Sequence, residues 1–409
     1  MKAGFNPHPS PLPSKGRGKK GEGLLYNPQF EHDGCGTGFV VDISGRPSHS
    51  ILDQGIQCVV NLTHRGAIDA DAKTGDGAGV LTQIPRKLFD KVLAMWEAKV
   101  PAKGDLGIGV FFFPTHNPSH AKEAERIAER VVSDYGLDIL GWRDVPINKS
   151  VLGDKALATL PIIRQLLVAR NGKVKKEDFE RTLYLIRKEI EQETRKKEIT
   201  DFYIPSFSSR TLIYKGLLVA PQLKTFYLDL SNPDYETALV MFHQRYSTNT
   251  FPNWFLAQPF RLIGHNGEIN TLQGNRNWMR AREEDLKSKL FGEKISKLKP
   301  IVDPDGSDSA SLDNVLESLW MAGRDILHAI TMMVPEAWQN TPDMNPAWQA
   351  YYEYHGCLME PWDGPAALTF TDGKIIGATL DRNGMGRTAR DIHNKPGSAS
   401  VMLKLGIVK

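Results

Sequence analysis

The chain has 409 residues, of which 51 are basic, 48 acidic and 41% hydrophobic, so its formal net charge is +3. This length and apolar content suit a sizeable core in one large domain or two ordinary ones. The balanced charge gives no argument for nucleic-acid binding, and no apolar run is long enough to cross a membrane. Three widely spaced cysteines, Cys35, Cys58 and Cys357, form neither a disulfide framework nor a metal site, and they fit a reducing cytoplasm.

The first residues differ in composition from the rest of the chain. Residues 5–23 are rich in Pro, Gly, Lys and Ser, and Leu12 is the only aliphatic residue among those that follow Phe5. Such a segment buries too little apolar surface to order itself, and it lacks the apolar centre of a secretory signal. We therefore predict a largely disordered leader.

Globular patterns begin at Cys35 and alternate between strands and helices. Residues 53–64 repeat apolar side chains at helical spacing, with Cys58 on that face as a core residue. Residues 178–197 predict a long charged helix, expected to be a solvated outer face. The loop at 74–79 lacks the Lys-Ser/Thr of a phosphate loop, so a tight turn is favoured over nucleotide binding. The sequence predicts further strands at 36–43, 80–84, 107–113, 202–207 and 211–214. It predicts further helices at 120–135, 276–297 and 311–321. A hairpin is predicted around Asp372-Gly373.

A second informative stretch runs from His243 to Asn277 and is dense in polar groups. Arg245 offers a planar fork for a carboxylate, and Asn266 with the Gly267 N–H offers two donors for an oxyanion hole. Taken alone, Asn-Gly favours a hairpin turn instead. His243 and His265 have no acidic or cysteine partner at ligand spacing, so core roles are favoured over metal binding.

One carboxylate in the segment 305–309 either caps the helix that follows or holds a substrate ammonium group. The residues alone leave both roles open.

Taken together, these motifs resemble the class II glutamine amidotransferases, and within them the glutamate synthases. The segment EHDGCGTGF (31–39) is similar to the family's processing site and N-terminal nucleophile. The resemblance covers about residues 26–387, and its other motifs follow in the family's order: LTHRGA (62–67), TGDGAG (74–79), HQRYSTNT (243–250), HNGEIN (265–270), SDSASLDN (307–314) and MVPEAW (333–338).

The resemblance implies an α+β fold: a four-layer αββα sandwich of two antiparallel sheets covered by helices, the N-terminal-nucleophile hydrolase type. It also implies that residues 1–34 are removed, which leaves residues 35–409 as the amidotransferase domain, with an atypical end from about residue 388. Cys35 would then attack the side-chain amide of L-glutamine with its own α-amino group as base. Asn266 and Gly267 would form the oxyanion hole.

The substrate contacts implied by the resemblance come from four further residues. Arg245 would bind the α-carboxylate of glutamine and Asp308 its α-ammonium group. Arg65 would help to order the nucleophile, and Thr248 would contact the substrate through its backbone.

The partners implied are L-glutamine and the remaining glutamate synthase domains or chains, with no nucleic acid and no membrane. Full glutamate synthases carry FMN and an iron–sulfur cluster in a synthase region that this sequence does not contain, so no cofactor is expected in this chain. The alternatives are a stand-alone glutaminase and a non-catalytic regulatory domain. A papain-like protease is disfavoured, because no separate His-containing motif is evident.

Overall fold

The computed structural model describes residues 36–69, 71, 73–244 and 251–382, together with the strand backbone at 398–399 and 405–408. The strands are β1 Thr37–Asp42, β2 Ala78–Gln83, β3 Leu106–Phe113, β4 Asp138–Asp144, β5 Ile162–Ala169, β6 Tyr203–Ser208, β7 Thr211–Gly216, β8 Leu239–Gln244, β9 Ile263–Gly267, β10 Ala366–Thr371, β11 Ile376–Leu380, β12 Ser398–Ala399 and β13 Leu405–Val408. The helices are α1 His49–Asn61, α2 Arg86–Met95, α3 Pro118–Asp134, α4 Asp154–Ala158, α5 Phe179–Lys196, α6 Leu223–Phe226, α7 Leu272–Glu283, α8 Asp308–Met321, α9 Ile326–Met333 and α10 Pro346–Gly356.

Two antiparallel sheets form the centre of the described fold. The first sheet has the strand order β12-β1-β8-β2-β7, and the second has the order β13-β11-β10-β9. In the first sheet, Thr37 of β1 lies opposite His243 of β8. In the second, Gly267 of β9 lies opposite Ala366 of β10. The polar motifs at the start of β1 and at the end of β9 therefore lie on the two central sheets.

The alternation of side chains along the strands divides the core into layers. In β1, Phe39 and Val41 belong to an apolar cluster shared with Ile376 of β11, so that face of the first sheet packs on the second. Val40, between them, belongs to the cluster on the other face, which includes Leu52 of α1. The outer face of the second sheet packs on α8 and α9. The described residues thus form the predicted αββα sandwich, and the fold class is confirmed.

A third antiparallel sheet, of order β4-β5-β3-β6, was not anticipated from the sequence. Phe111 and Phe113 of β3 pack with residues of α3 and α5, while Phe112 packs in the cluster of the first sheet.

The prediction that α5 presents a solvated outer face is wrong. Arg187 and Lys188 are both buried, because ion pairs and carbonyl contacts satisfy their charges: Arg187 bonds to Glu191, and Lys188 donates to the Pro300 carbonyl at 2.8 Å.

Most predicted elements are present, with shifted ends. Helix α1 begins at His49 because the Ser48 side chain caps it. The predicted helix 276–297 is instead α7 followed by a separate 3-10 turn, Gly292–Leu298. The hairpin around Asp372-Gly373 is confirmed, and Gly373 has a φ of +83°.

Gly55 of α1 and Gly274 of α7 offer a matched test of how closely α1 approaches the first sheet. A Cβ on Gly55 would lie 2.6 Å from Val240 Cγ1, whereas one on Gly274 would meet nothing within 4 Å. We expect Gly55→Ala to destabilise the protein by about 1–3 kcal/mol through overpacking. Gly274→Ala should stabilise it by about 0.5–1 kcal/mol through helix propensity. Thermal unfolding of both variants checks this, and equal shifts would contradict the close packing.

Candidate active site

The candidate site lies at a close approach of the two central sheets. The hydroxyl oxygens of Thr37 on β1 and Thr369 on β10 are 2.8 Å apart. Between them runs Gly264 of β9, where a Cβ would lie 2.4 Å from the Thr37 hydroxyl oxygen. Only a residue without a side chain fits here. Across the same gap, His243 Nε2 of β8 lies 2.9 Å from the carbonyl oxygen of His265.

Asn266 and Gly267 form the end of β9 and are not the hairpin turn that the dipeptide alone favours. They pair with Ala367 and Ala366 of β10. Gly267 has a φ of +132°, and a Cβ there would lie 1.9 Å from the carbonyl oxygen of Pro365. Both the backbone conformation and the contact therefore require glycine at this position. Asn266 is half-buried and Gly267 is exposed, so a ligand can reach this strand end.

The Asn266 side chain lies beside the start of the first globular strand. A Cβ on Gly36 would be 3.8 Å from Asn266 Cγ and 2.5 Å from the carbonyl oxygen of Gln244. The Gly36 carbonyl accepts from the Gln244 N–H at 2.7 Å, which extends the β1–β8 pairing to this residue. The amide of Asn266 is therefore next to the residue that follows Cys35 in the chain.

Asp308 approaches the same strand end from α8. Ser307 is the cap of this helix, since its side chain accepts from the Ala310 N–H, so capping is not the role of Asp308. The Asp308 carboxylate is only 5% exposed and accepts from the Ser309 N–H at 2.6 Å and the Ile269 N–H at 3.0 Å. Ile269 is two residues beyond Gly267. The buried carboxylate and the two predicted oxyanion donors therefore share one short segment.

His265 is buried in a polar network that the sequence did not predict. Its Nδ1 lies 2.7 Å from Ser309 Oγ, and its backbone N–H donates to Gln258 Oε1 at 2.8 Å. Ser309 Oγ also donates to the Asp308 carboxylate at 3.2 Å. Burial lowers the pKa of His265, which favours the neutral imidazole, and the nearby Asp308 acts in the opposite direction.

Gln258 and Ser309 were missed at the sequence level. The one available signal for Ser309 was its place in the polar run at 307–309 before an apolar helix. Gln258 gives no such signal, because its bonds join it to residues of β9 and α8.

The glycine-rich loop at 74–79 packs against the same network. A Cβ on Gly79 would lie 2.6 Å from the carbonyl oxygen of Gln258, and one on Gly77 would lie 3.2 Å from the Ala257 Cβ. The glycines allow close backbone packing, and Gly77 has a φ of +141°.

Of the predicted site residues, three lie outside the described part of the chain, and a fourth is described only in its backbone. Cys35, Arg245 and Thr248 lie outside the described residues. The backbone of Arg65 belongs to a 3-10 turn, Thr63–Arg65, directly after α1, and its side chain lies outside the described part. The structure thus brings Asn266, Gly267 and Asp308 together.

Two cavities of about 260 Å³ each lie elsewhere, and neither is lined by Asn266, Gly267 or Asp308. One opens beside Trp348 and Leu380, and the other passes between α5 and α8 at Gly306 and Ala310.

Within the described ranges, no group of three or more His, Cys, Asp or Glu side chains is arranged to hold a metal ion. No helix of the described part is long and apolar enough to span a membrane.

The sequence of the chain matches the family described as glutamine amidotransferases class-II over residues 35–409. It is 44% identical over 386 residues to the glutamate synthase [NADPH] large chain of Bacillus subtilis, covering 94% of this chain and 25% of the relative. The corresponding large chain of Azospirillum brasilense is 45% identical over 363 residues, covering 88% and 24%. Glutamate synthase [NADH] of Saccharomyces cerevisiae is 43% identical over 371 residues, covering 88% and 17%. The chain therefore spans about a quarter or less of the length of these relatives.

At Gly267 even a methyl group would disturb the geometry of the site. We expect Gly267→Ala to lower the melting temperature by several degrees, because a methyl group cannot fit against the Pro365 carbonyl and an L-residue is strained at this φ. Gly172→Ala is the control, since a Cβ at Gly172 meets nothing within 4 Å. Thermal unfolding of the two variants measures the difference. A Gly267→Ala protein as stable as Gly172→Ala would contradict the described strand end.

Proposed function

The chain belongs to the class-II glutamine amidotransferases, and we propose that it hydrolyses the side-chain amide of L-glutamine to glutamate and ammonia, with Cys35 as the nucleophile. The observation that supports this most directly is the place of Asn266. Its amide lies beside Gly36, the residue after Cys35, and the family match begins at Cys35 itself. A nucleophile at this chain position and an oxyanion donor from β9 would thus meet at one point between the sheets.

The proposed nucleophile acts as the first residue of the mature chain, after removal of residues 1–34. The freed α-amino group, with a pKa of about 7.7–8 in peptides, then takes the proton of its own thiol, directly or through water. The thiolate attacks the amide carbon of glutamine, and the tetrahedral oxyanion collapses with loss of ammonia to leave a thioester on Cys35. Water attacks the thioester, which releases glutamate and regenerates the thiol.

Asn266 and Gly267 supply the proposed oxyanion hole. The side-chain amide of Asn266 and the N–H of Gly267 are donors held at the end of a strand that is paired along its length with β10. Donors fixed in this way stabilise the developing charge without reorganising during the reaction.

The Asp308 carboxylate, buried near this strand end, suits the α-ammonium group of glutamine because a buried carboxylate favours a cationic partner. Arg245 would bind the α-carboxylate as a bidentate partner. Arg65 would order the nucleophile, and Thr248 would contact the substrate through its backbone.

The wider role follows from the relatives and is also part of the proposal. We expect the ammonia to be used for the amination of 2-oxoglutarate in a synthase region like those of the longer glutamate synthases, and we expect this chain to act together with that region in the cytoplasm. FMN and the iron–sulfur cluster would belong there, and this chain would need no cofactor for glutamine hydrolysis.

Cys35→Ala tests the proposed function, with Cys58→Ala as the matched control. Cys58 is a residue of α1 and is half-buried against the core, so its loss should leave hydrolysis near the parent rate. Cys35→Ala should abolish ammonia release from glutamine, because it removes the thiol that is proposed to form the thioester. Intact mass and N-terminal sequencing of the parent should give a chain that begins at Cys35.

Equal ammonia release from Cys35→Ala and the parent would overturn the assignment of the nucleophile. An active parent that retains residues 1–34 would overturn the α-amino base. A correctly processed parent without any hydrolysis would favour the alternative of a non-catalytic domain.

The variants Asn266→Ala and Asp308→Asn should distinguish the kinetic effect of the oxyanion hole from that of the substrate contact. Asn266→Ala removes a donor needed mainly in the transition state, so kcat should fall by about 100- to 1,000-fold with little change in KM. Asp308→Asn removes a charge that binds substrate and transition state alike, so KM should rise by about 10-fold or more. Steady-state kinetics measure both, with exposed Asp305→Asn as the control. A purely KM effect in Asn266→Ala would contradict its assigned role.

A further inference from the structure

Helix α8 contacts β9 at both ends of the strand through buried carboxylates. Asp308, at the first turn of the helix, accepts from the N–H of Ile269, just beyond the strand. Asp313, five residues later, accepts from backbone N–H groups at the start of the strand. The segment between these two contacts contains Asn266 and Gly267.

Asp313 is bound to the backbone at several points. Its Oδ1 accepts from the N–H of Leu262 at 2.8 Å and of Ile263 at 3.2 Å, and its Oδ2 accepts from the N–H of Arg261 at 3.3 Å. The guanidinium Nη1 of Arg261 lies 3.9 Å from the same Oδ2. Three N–H donors and one cation suit an ionised carboxylate, although the residue is fully buried.

Between the two carboxylates, Ser309 connects the helix to the middle of the strand. Its Oγ lies 2.7 Å from His265 Nδ1, and Gln258 Nε2 donates to the His265 carbonyl at 3.0 Å. Asp308, Ser309 and Asp313 therefore face β9 at its end, middle and start.

The neighbouring carboxylate of α8, Glu317, does not take part in these contacts. It is also buried, but it pairs with Arg187 of α5. Burial raises the pKa of Asp313 to about 6, with Glu317 acting in the same direction and Arg261 in the opposite one. The three backbone N–H donors and the Arg261 guanidinium favour the ionised carboxylate, so the backbone bonds of Asp313 are charge-assisted.

We propose that Asp313 is a positioning residue for glutamine hydrolysis: it anchors the start of β9 to α8, and so fixes the distance between the oxyanion donors Asn266 and Gly267 and the ammonium-binding Asp308. This inference rests on the proposed function. Because Asp308 keeps its own bonds to Ser309 and Ile269, loss of the Asp313 anchor shifts the donors without removing the substrate contact. Loss of the anchor therefore weakens stabilisation of the transition state more than it weakens substrate binding.

The test compares Asp313→Asn with Glu317→Gln in the processed full chain. Each variant replaces one buried carboxylate of α8 with its amide, but only the first changes a contact to β9. In Asp313→Asn, an NH₂ group replaces the carboxylate oxygen that accepts from the Arg261 N–H. Since NH₂ is a donor, this hydrogen bond and the ion pair with the Arg261 guanidinium are lost. We expect kcat for glutamine to fall by about 10- to 100-fold in Asp313→Asn, with KM within about threefold of the parent. Glu317→Gln should stay within about threefold in both parameters.

Hydrogen exchange of the backbone amides of residues 261–263 is measured on the same samples and does not depend on turnover. These amides should exchange at least about tenfold faster in Asp313→Asn than in the parent or in Glu317→Gln. Asp313→Glu, which keeps the charge but displaces the carboxylate from the backbone N–H groups, serves as a second variant if Asp313→Asn does not fold. It should lower kcat by about tenfold, again at nearly constant KM.

The outcomes separate this inference from the proposed function. An active parent with an unchanged kcat in folded Asp313→Asn, or in Asp313→Glu if that variant is needed, overturns the positioning role. If Glu317→Gln loses as much kcat as Asp313→Asn, the effect is a general one of buried charge, and the inference is also overturned. A parent that releases no ammonia refutes the proposed function, and the exchange of the amides of residues 261–263 then decides whether Asp313 is an anchor. Equal exchange in all three proteins overturns the anchor. Faster exchange in Asp313→Asn alone supports it.

Discussion

The described site depends on the close approach of two sheets at Gly264. Thr37 of the first sheet and Thr369 of the second meet through their hydroxyl groups, with the glycine backbone between them. This contact places the start of β1 beside the end of β9, and with it Gly36 beside Asn266. A larger residue at 264 would separate the sheets, and the chain position next to Cys35 would move away from the amide of Asn266.

Helix α8 has an unusual composition for a helix that is buried almost all round. Its buried residues include Asp308, Ser309, Asp313 and Glu317. Burying these groups in an apolar core costs free energy unless each has partners. Here the partners are the N–H groups around β9 and the guanidinium groups of Arg187 and Arg261. The polar residues of α8 thus hold the helix in one register against the strand.

Much of the architecture could be predicted from local patterns. The strand at β1, the helix at α1 and the hairpin of β10 and β11 follow from apolar periodicity and turn residues, since these signals depend on neighbouring residues in the chain. The exposed face expected for α5 was wrong because charge alone does not determine exposure. Arg187 and Lys188 are buried with partners from Glu317 and the carbonyls of Pro300 and Ile301, far away in sequence.

The sequence by itself determined the family, the fold class and the identity of the candidate residues, because ordered motifs such as HNGEIN (265–270) and SDSASLDN (307–314) carry that information without coordinates. Only the tertiary structure decided that Asn266-Gly267 is a strand end, that Ser307 and not Asp308 caps α8, and that Gln258, Ser309 and Asp313 support the site. The physical reason is that the pairing of Asn266-Gly267 with β10, and the contacts of Asp308, Ser309 and Asp313 with the segment around β9, join parts of the chain far apart in sequence. They form only when two sheets and a helix pack together.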